Sequence, residues 1–141
     1  MKTQKYILVS AFLMGMLSVI IGAFGAHTLR EQWMLSESSM RIFNTGVSYQ
    51  FYHTIALLFC GLFYPQAKFI NLAQLVKISA IFFLLGIFLF SGSLYLLSTR
   101  HYLEIAHWKW IGPLTPIGGL FFILGWILLL VAGLKFRTTD V

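Results

Sequence analysis

The sequence predicts an all-α integral membrane protein, a four-helix bundle of one domain over residues 1–141, with the N and C termini on the same side of the bilayer. Three observations carry this. Only 10% of the 141 residues are charged and 59% are hydrophobic, whereas a soluble domain carries about 25% charged residues. The apolar residues gather in four runs, at 6–26, 45–64, 78–98 and 111–134, each near the roughly 20 residues of helix that cross a hydrocarbon core. The charged residues flank these runs and form no basic stripe. The formal net charge of +6 therefore reads as membrane-flanking anchors, and no nucleic-acid partner is expected.

The first run follows Lys2 and Lys5 and meets no charge before Arg30. Lys2 and Lys5 suit a signal peptide, and Ala23-Phe24-Gly25 resembles a cleavage site. A signal core has about 7–15 residues, however, and this run is longer, so it is expected to stay as a span. Gly15, Ser18, Gly22 and Ala26 share one side of it, a ladder of small residues that lets a second backbone approach. The span is expected to end at Gly22-Ala-Phe-Gly-Ala-His27. Thr28-Leu-Arg-Glu31 then matches a capping box that would start a short interfacial helix, and Ser36-Glu-Ser-Ser39 marks a further break. Trp33 is a plausible interface anchor.

The second run keeps helical spacing from Met40, Phe43 and Val47, so its helix is expected to start outside the bilayer core and to end at Pro65. Cys60 lies within it, alone, as a small core residue. The third run ends in Phe90-Ser-Gly-Ser-Leu-Tyr95, where Ser91, Tyr95 and Ser98 follow helical spacing, Gly92 thins the helix for close contact and Ser93 points elsewhere. The fourth run opens with Ile111-Gly-Pro-Leu-Thr-Pro-Ile-Gly-Gly119. Its prolines and glycines predict a broken start, with Gly118 and Gly119 as packing positions. Irregular backbone at that depth must be covered by protein or line a cavity.

Lys and Arg fix the expected orientation. Lys2, Lys5, Lys68, Lys77, Lys135 and Arg137 lie on the side of the termini, and Arg30, Arg41, Arg100 and Lys109 on the other. The excess predicts cytoplasmic termini.

Alternating spans bring the polar motifs to one half of the bilayer. Tyr49, Gln50 and His53 stack on one helical face, and polar groups inside a lipid-length run need a partner or a task. His27, Tyr49, Gln50, His53, Ser91, Tyr95 and Thr115 are the candidate ligand-binding residues, with a helix N-terminus after Pro116 as an anion-favouring element beside them. Gly15, Ser18, Gly22, Ala26, Gly92, Gly118 and Gly119 are the expected packing set.

Four motifs also carry a resemblance. Gly-Ala-Phe-Gly-Ala-His at 22–27, Tyr-Gln-Phe-Tyr-His-Thr at 49–54, Phe-Ser-Gly-Ser-Leu-Tyr at 90–95 and Thr-Pro-Ile-Gly-Gly at 115–119 resemble the domain-of-unknown-function 423 family, also called the transmembrane protein 256 family. The resemblance spans nearly the whole chain. It implies a small four-span protein of bacterial inner membranes and of animals, and it implies no activity. The His101, Glu104 and His107 cluster lies outside these motifs.

Three readings follow. The first is a non-enzymatic multi-pass membrane protein whose polar pocket near one membrane face binds a lipid or small amphiphile. The second is a structural or assembly protein whose polar motifs only pack helices. The third is an enzyme acting on lipid headgroups with His53 as acid and base. No catalytic triad can be drawn, because all four acidic residues lie in loops or the tail. The chain has neither CxxC nor HExxH, and no metal or cofactor is expected. The expected partners are membrane lipids and a second copy, joined through the glycine-rich faces.

Overall fold

Each apolar run becomes a helical rod that reverses the direction of the one before it, but the rods end in other places than predicted. The computed structural model describes residues 2–105, 107–108 and 110–136. Helix α1 (Lys2–Phe24) passes without a break into a π-helical stretch, Gly25–Gln32. Helix α2 spans Glu37–Phe69. The third rod is α3 (Ala73–Gly86), a π-helical turn at Ile87–Ser91, and α4 (Gly92–Thr99). Helix α5 spans Ile111–Lys135. Lys109 and Arg137, both used in the charge count, lie outside the described residues.

Three rods are long and apolar enough to cross a membrane: α1 with its π-helical end, α3 to α4, and α5. Helix α2 is long enough, but it carries Gln50, His53 and Thr54 along its buried length. Those groups are sheltered because α2 packs against α1, α3 and α4 at once. The larger apolar core, around Leu57, Cys60, Val76 and Phe83, lies between α1, α2, α3 and α5. A smaller one at the opposite end holds Leu29, Leu35 and Phe43.

The capping box at Thr28 to Glu31 starts no helix, and the helix does not end at His27. The chain is already helical there and only widens to π geometry, beginning at Gly25, where a Cβ would run into the Phe43 ring. The N-cap that operates is Ser36, whose Oγ accepts from the Ser39 amide at 3.2 Å.

Pro65 does not end α2 either. Proline removes one intrahelical bond, but the turn beyond it is held by Ala67, fully buried in the core, whose carbonyl accepts from the Leu72 amide at 2.7 Å.

The start of α5 is helical, not broken. Pro113 falls in the first turn, where an amide has no intrahelical acceptor. Pro116 lies one turn further in and costs one bond, a loss that neighbouring helices compensate inside a membrane. Here the third rod packs directly on this turn: a Cβ on Gly118 would collide with the Phe90 backbone.

The small-residue ladder of α1 faces its own chain. A Cβ on Gly15 would lie 3.5 Å from Thr54, and one on Gly22 would lie 3.3 Å from Val47. Ser18 is buried, while Ala26 is exposed. Gly92 makes no close approach, since a Cβ there would meet nothing within 4 Å. Gly119 is in ordinary contact distance of the Phe90 ring, at 3.8 Å.

Candidate functional site

The polar face of α2 forms a closed joint. Gln50, only 3% exposed, donates from Nε2 to the Met14 carbonyl of α1 at 3.0 Å. Its Oε1 accepts from the Tyr95 hydroxyl of α4 at 2.8 Å. One side chain thus ties three rods together. Gly46, one turn earlier on α2, makes this possible. A Cβ there would lie 2.8 Å from the Tyr95 ring, so only glycine lets that ring lie flat enough to reach Gln50. In a low-dielectric interior such linked bonds reinforce one another.

His53 sits one turn further along. The Trp126 indole, which can only donate, points its N–H at His53 Nε2 at 3.3 Å. Nε2 is therefore the acceptor, and Nδ1 carries the proton that it gives to the Tyr49 carbonyl at 2.8 Å. Both ring nitrogens are engaged in the neutral tautomer. The ring stacks on Phe122 at 3.4 Å and 8° and leans on Phe83 at 5.7 Å. Two glycines admit those phenyl rings across the α3–α5 seam. A Cβ on Gly86 would strike Phe122, and a Cβ on Gly125 would come within 2.7 Å of Phe83. His53 lies about 18 Å of helix from Arg41 and about 22 Å from Lys68, close to midway between these charges.

The other predicted residues are more scattered. Tyr49 is part exposed and stacks on Phe90 at 4.7 Å. Thr115 bonds to Ser93 at 2.7 Å across the α4–α5 contact, so Ser93, read as pointing elsewhere, belongs to the polar set and is buried. Ser91 is fully buried on the π-helical turn, and its hydroxyl has no hydrogen-bond partner, as is true of Thr54. His27 is exposed on the widened end of α1. Among the described residues no three His, Cys, Asp or Glu side chains gather as a metal set.

At the end away from the termini, aromatic rings tie the connections together. Trp33 stacks on Tyr102 at 5.3 Å, and the Tyr102 hydroxyl donates to the Trp33 carbonyl. Trp108 stacks on Trp110 at 5.6 Å.

Unfilled space lies on both sides of α2: a groove of about 490 Å³ between α1 and α2, lined by Ser18, Gly22, Val47 and Ser48 among others, and a roomier one toward α5. Helix α5 packs chiefly on α3, the π-helical turn and α4, and its backbone approaches α2 sparsely. Tyr49, His53, Phe122 and Trp126 fill the gap at one level. Beyond them the two helices leave a lateral groove of about 710 Å³, lined by Ile55, Ala56, Phe59, Leu130, Gly133 and Leu134 among others. Its walls are almost wholly apolar, and its lining reaches Leu134, next to Lys135.

A bundle of long apolar helices, knitted at its centre by one glutamine and one histidine, defines a multi-pass integral membrane protein. The chain belongs to the family described as "Protein of unknown function (DUF423)", whose model matches residues 21–119. It is 38% identical over 134 residues to a UPF0382 membrane protein of Staphylococcus epidermidis, covering 94% of this chain and 98% of the relative. It is 35% identical over 139 residues to the UPF0382 inner membrane protein YgdD of Escherichia coli K12, covering 99% of this chain and 97% of that one. No solved structure matches the chain.

Proposed function

We propose that this is a non-enzymatic membrane protein that holds one acyl chain of an anionic lipid in the α2–α5 groove, while its polar motifs lock the helices that frame it. The observation that carries this reading is the groove itself. It is open sideways, almost wholly apolar, and floored by the small residues Ala56 and Gly133. A lipid tail is as apolar as the groove wall, so it is held by fit and by many weak dispersion contacts rather than by transfer from water.

The charge at the mouth selects the headgroup. Lys135 follows the lining residue Leu134, and Lys68 closes the same end of α2; both are exposed. Basic residues at a membrane surface attract anionic headgroups at about 1 kcal/mol each. The lysine excess of this end makes it the cytoplasmic one.

The bonds at His53 weigh against an acid/base role, because neither ring nitrogen is free to accept or deliver a proton at a substrate. Gln50 and Tyr95 are likewise spent on each other, so amphiphile binding is assigned to the groove and not to the polar face.

Native mass spectrometry from nanodiscs containing phosphatidylglycerol tests this. The wild-type protein is expected to retain one lipid per chain. Gly133→Phe is expected to lose it, because a Cβ at Gly133 meets nothing within 4 Å and the ring would occupy the groove. A lipid-free wild type, or equal retention by the variant, overturns the reading.

A further inference from the structure

We propose that Trp126 is the chain-length stop of the α2–α5 groove, set in place by His53. This rests on the reading that the groove holds an acyl chain.

The groove has a direction. Its lining begins at Tyr52 on α2 and at Trp126 on α5 and runs from there to Phe59 and Leu134. The two helices run parallel here, since Tyr49 faces Phe122, His53 faces Trp126 and Phe63 faces Phe136. The lysines stand at the Leu134 end. A chain entering with its headgroup there travels about 12 Å along α5 before it meets the indole. No lining residue lies beyond that level. The volume there is taken by Tyr49, Phe122 and Phe90, which touch one another ring to ring.

The wall is fixed. Trp126 is 50% exposed, so one face is presented to the groove, yet its N–H is tied to His53. His53 is 7% exposed and bonded in turn to the α2 backbone. The indole edge also packs on Phe83 at 5.2 Å, and Phe83 is fully buried. A free surface tryptophan would swing aside for a longer chain, whereas this one is held at two points, by His53 and by Phe83. His53 is thereby a positioning residue: it touches no ligand and fixes the group that does.

Chains that stop short of the indole lie flat in the groove. Longer chains must bend out into the bilayer, and losing about five atom contacts weakens retention about threefold. The experiment is a competition among saturated phosphatidylglycerols of stepwise increasing chain length, read by native mass spectrometry on the full chain. The wild type is expected to show a break, with retention falling about threefold beyond one length. Trp126→Ala moves the break to longer chains, and His53→Leu blurs it while leaving the lipid count at one. A flat wild-type profile, or a break that stays in place in Trp126→Ala, overturns the stop. The two ideas fail separately. If Gly133→Phe abolishes retention and the break does not move, the groove stands and the stop falls. If Gly133→Phe changes nothing, both fall.

Discussion

The two sides of α2 are built on opposite principles. On the side facing α1 and α4 the central polar residue is tied off: Gln50 is bonded at both ends, Gly46 is needed so that Tyr95 can reach it, and the space beside it, between α1 and α2, is a groove of about 490 Å³. The side facing α5 holds His53 against Trp126 at one level and, beyond it, mostly apolar residues that line a groove of about 710 Å³ open sideways. Polar groups inside a membrane signal a site or a joint, and only the partner list separates the two. Here Gln50 and His53 are spent on partners within the bundle, and the roomier groove lies where the lining is plain.

The sharpest way to break that contrast is to remove the joint. Gln50→Ala deletes both interhelical bonds, leaves the Tyr95 hydroxyl without its acceptor, and opens a cavity against α1. It is expected to cost about 2–4 kcal/mol, measured by titrating the reconstituted protein with SDS and following helical ellipticity. Lipid retention per folded molecule should stay unchanged. If Gln50→Ala leaves stability intact and removes the lipid, the joint is the pocket and the two sides of α2 must be exchanged.

A smaller effect is expected from Gly46→Ala. Its Cβ would stand 2.8 Å from Tyr95 Cε1, closer than carbon atoms approach, so the ring must turn and its hydroxyl leaves Gln50. The expected loss is about 1–2 kcal/mol, by the same titration. Adding Tyr95→Phe to Gly46→Ala should cost little further, because the bond it removes is already gone. Full additivity would mean that the alanine acts elsewhere.

How much of this was legible beforehand follows from the same contrast. The rods were legible because apolar length and flanking charge are local properties, and family membership was legible because motifs such as Tyr49 to Thr54 are contiguous. Gln50 and Tyr95 could be named because polar residues stand out in apolar runs. Their pairing could not, since it crosses 45 positions of chain. Gly46, Gly86 and Gly125 carry no signal in the sequence for a related reason. A glycine matters through the ring that faces it, and Tyr95, Phe122 and Phe83 come from other rods. Pro65 and Pro116 predict breaks because the local cost is visible in the sequence, while the packing that outweighs it, at Ala67 and at Gly118 against Phe90, is not. The groove left no trace at all: Ile55, Phe59 and Leu130 are what any lipid-facing helix displays.

The smallest expected effect tests the open side most directly. Gly133 lies in the last turns of α5 and lines the groove, and a Cβ added there meets nothing within 4 Å. Alanine is the better helix former by about 0.5–1 kcal/mol. Gly133→Ala is therefore expected to leave stability unchanged or to raise it by up to about that amount, in the same titration that finds Gly46→Ala destabilising. The two substitutions add the same methyl group to the same kind of helix, so their difference in sign measures space alone. A loss of about 1 kcal/mol at Gly133 would mean that α5 closes on α2 in the membrane and that the groove does not persist there. A neutral or positive change keeps it open, and makes Gly133→Phe a clean plug for lipid retention, because the backbone position itself tolerates a side chain.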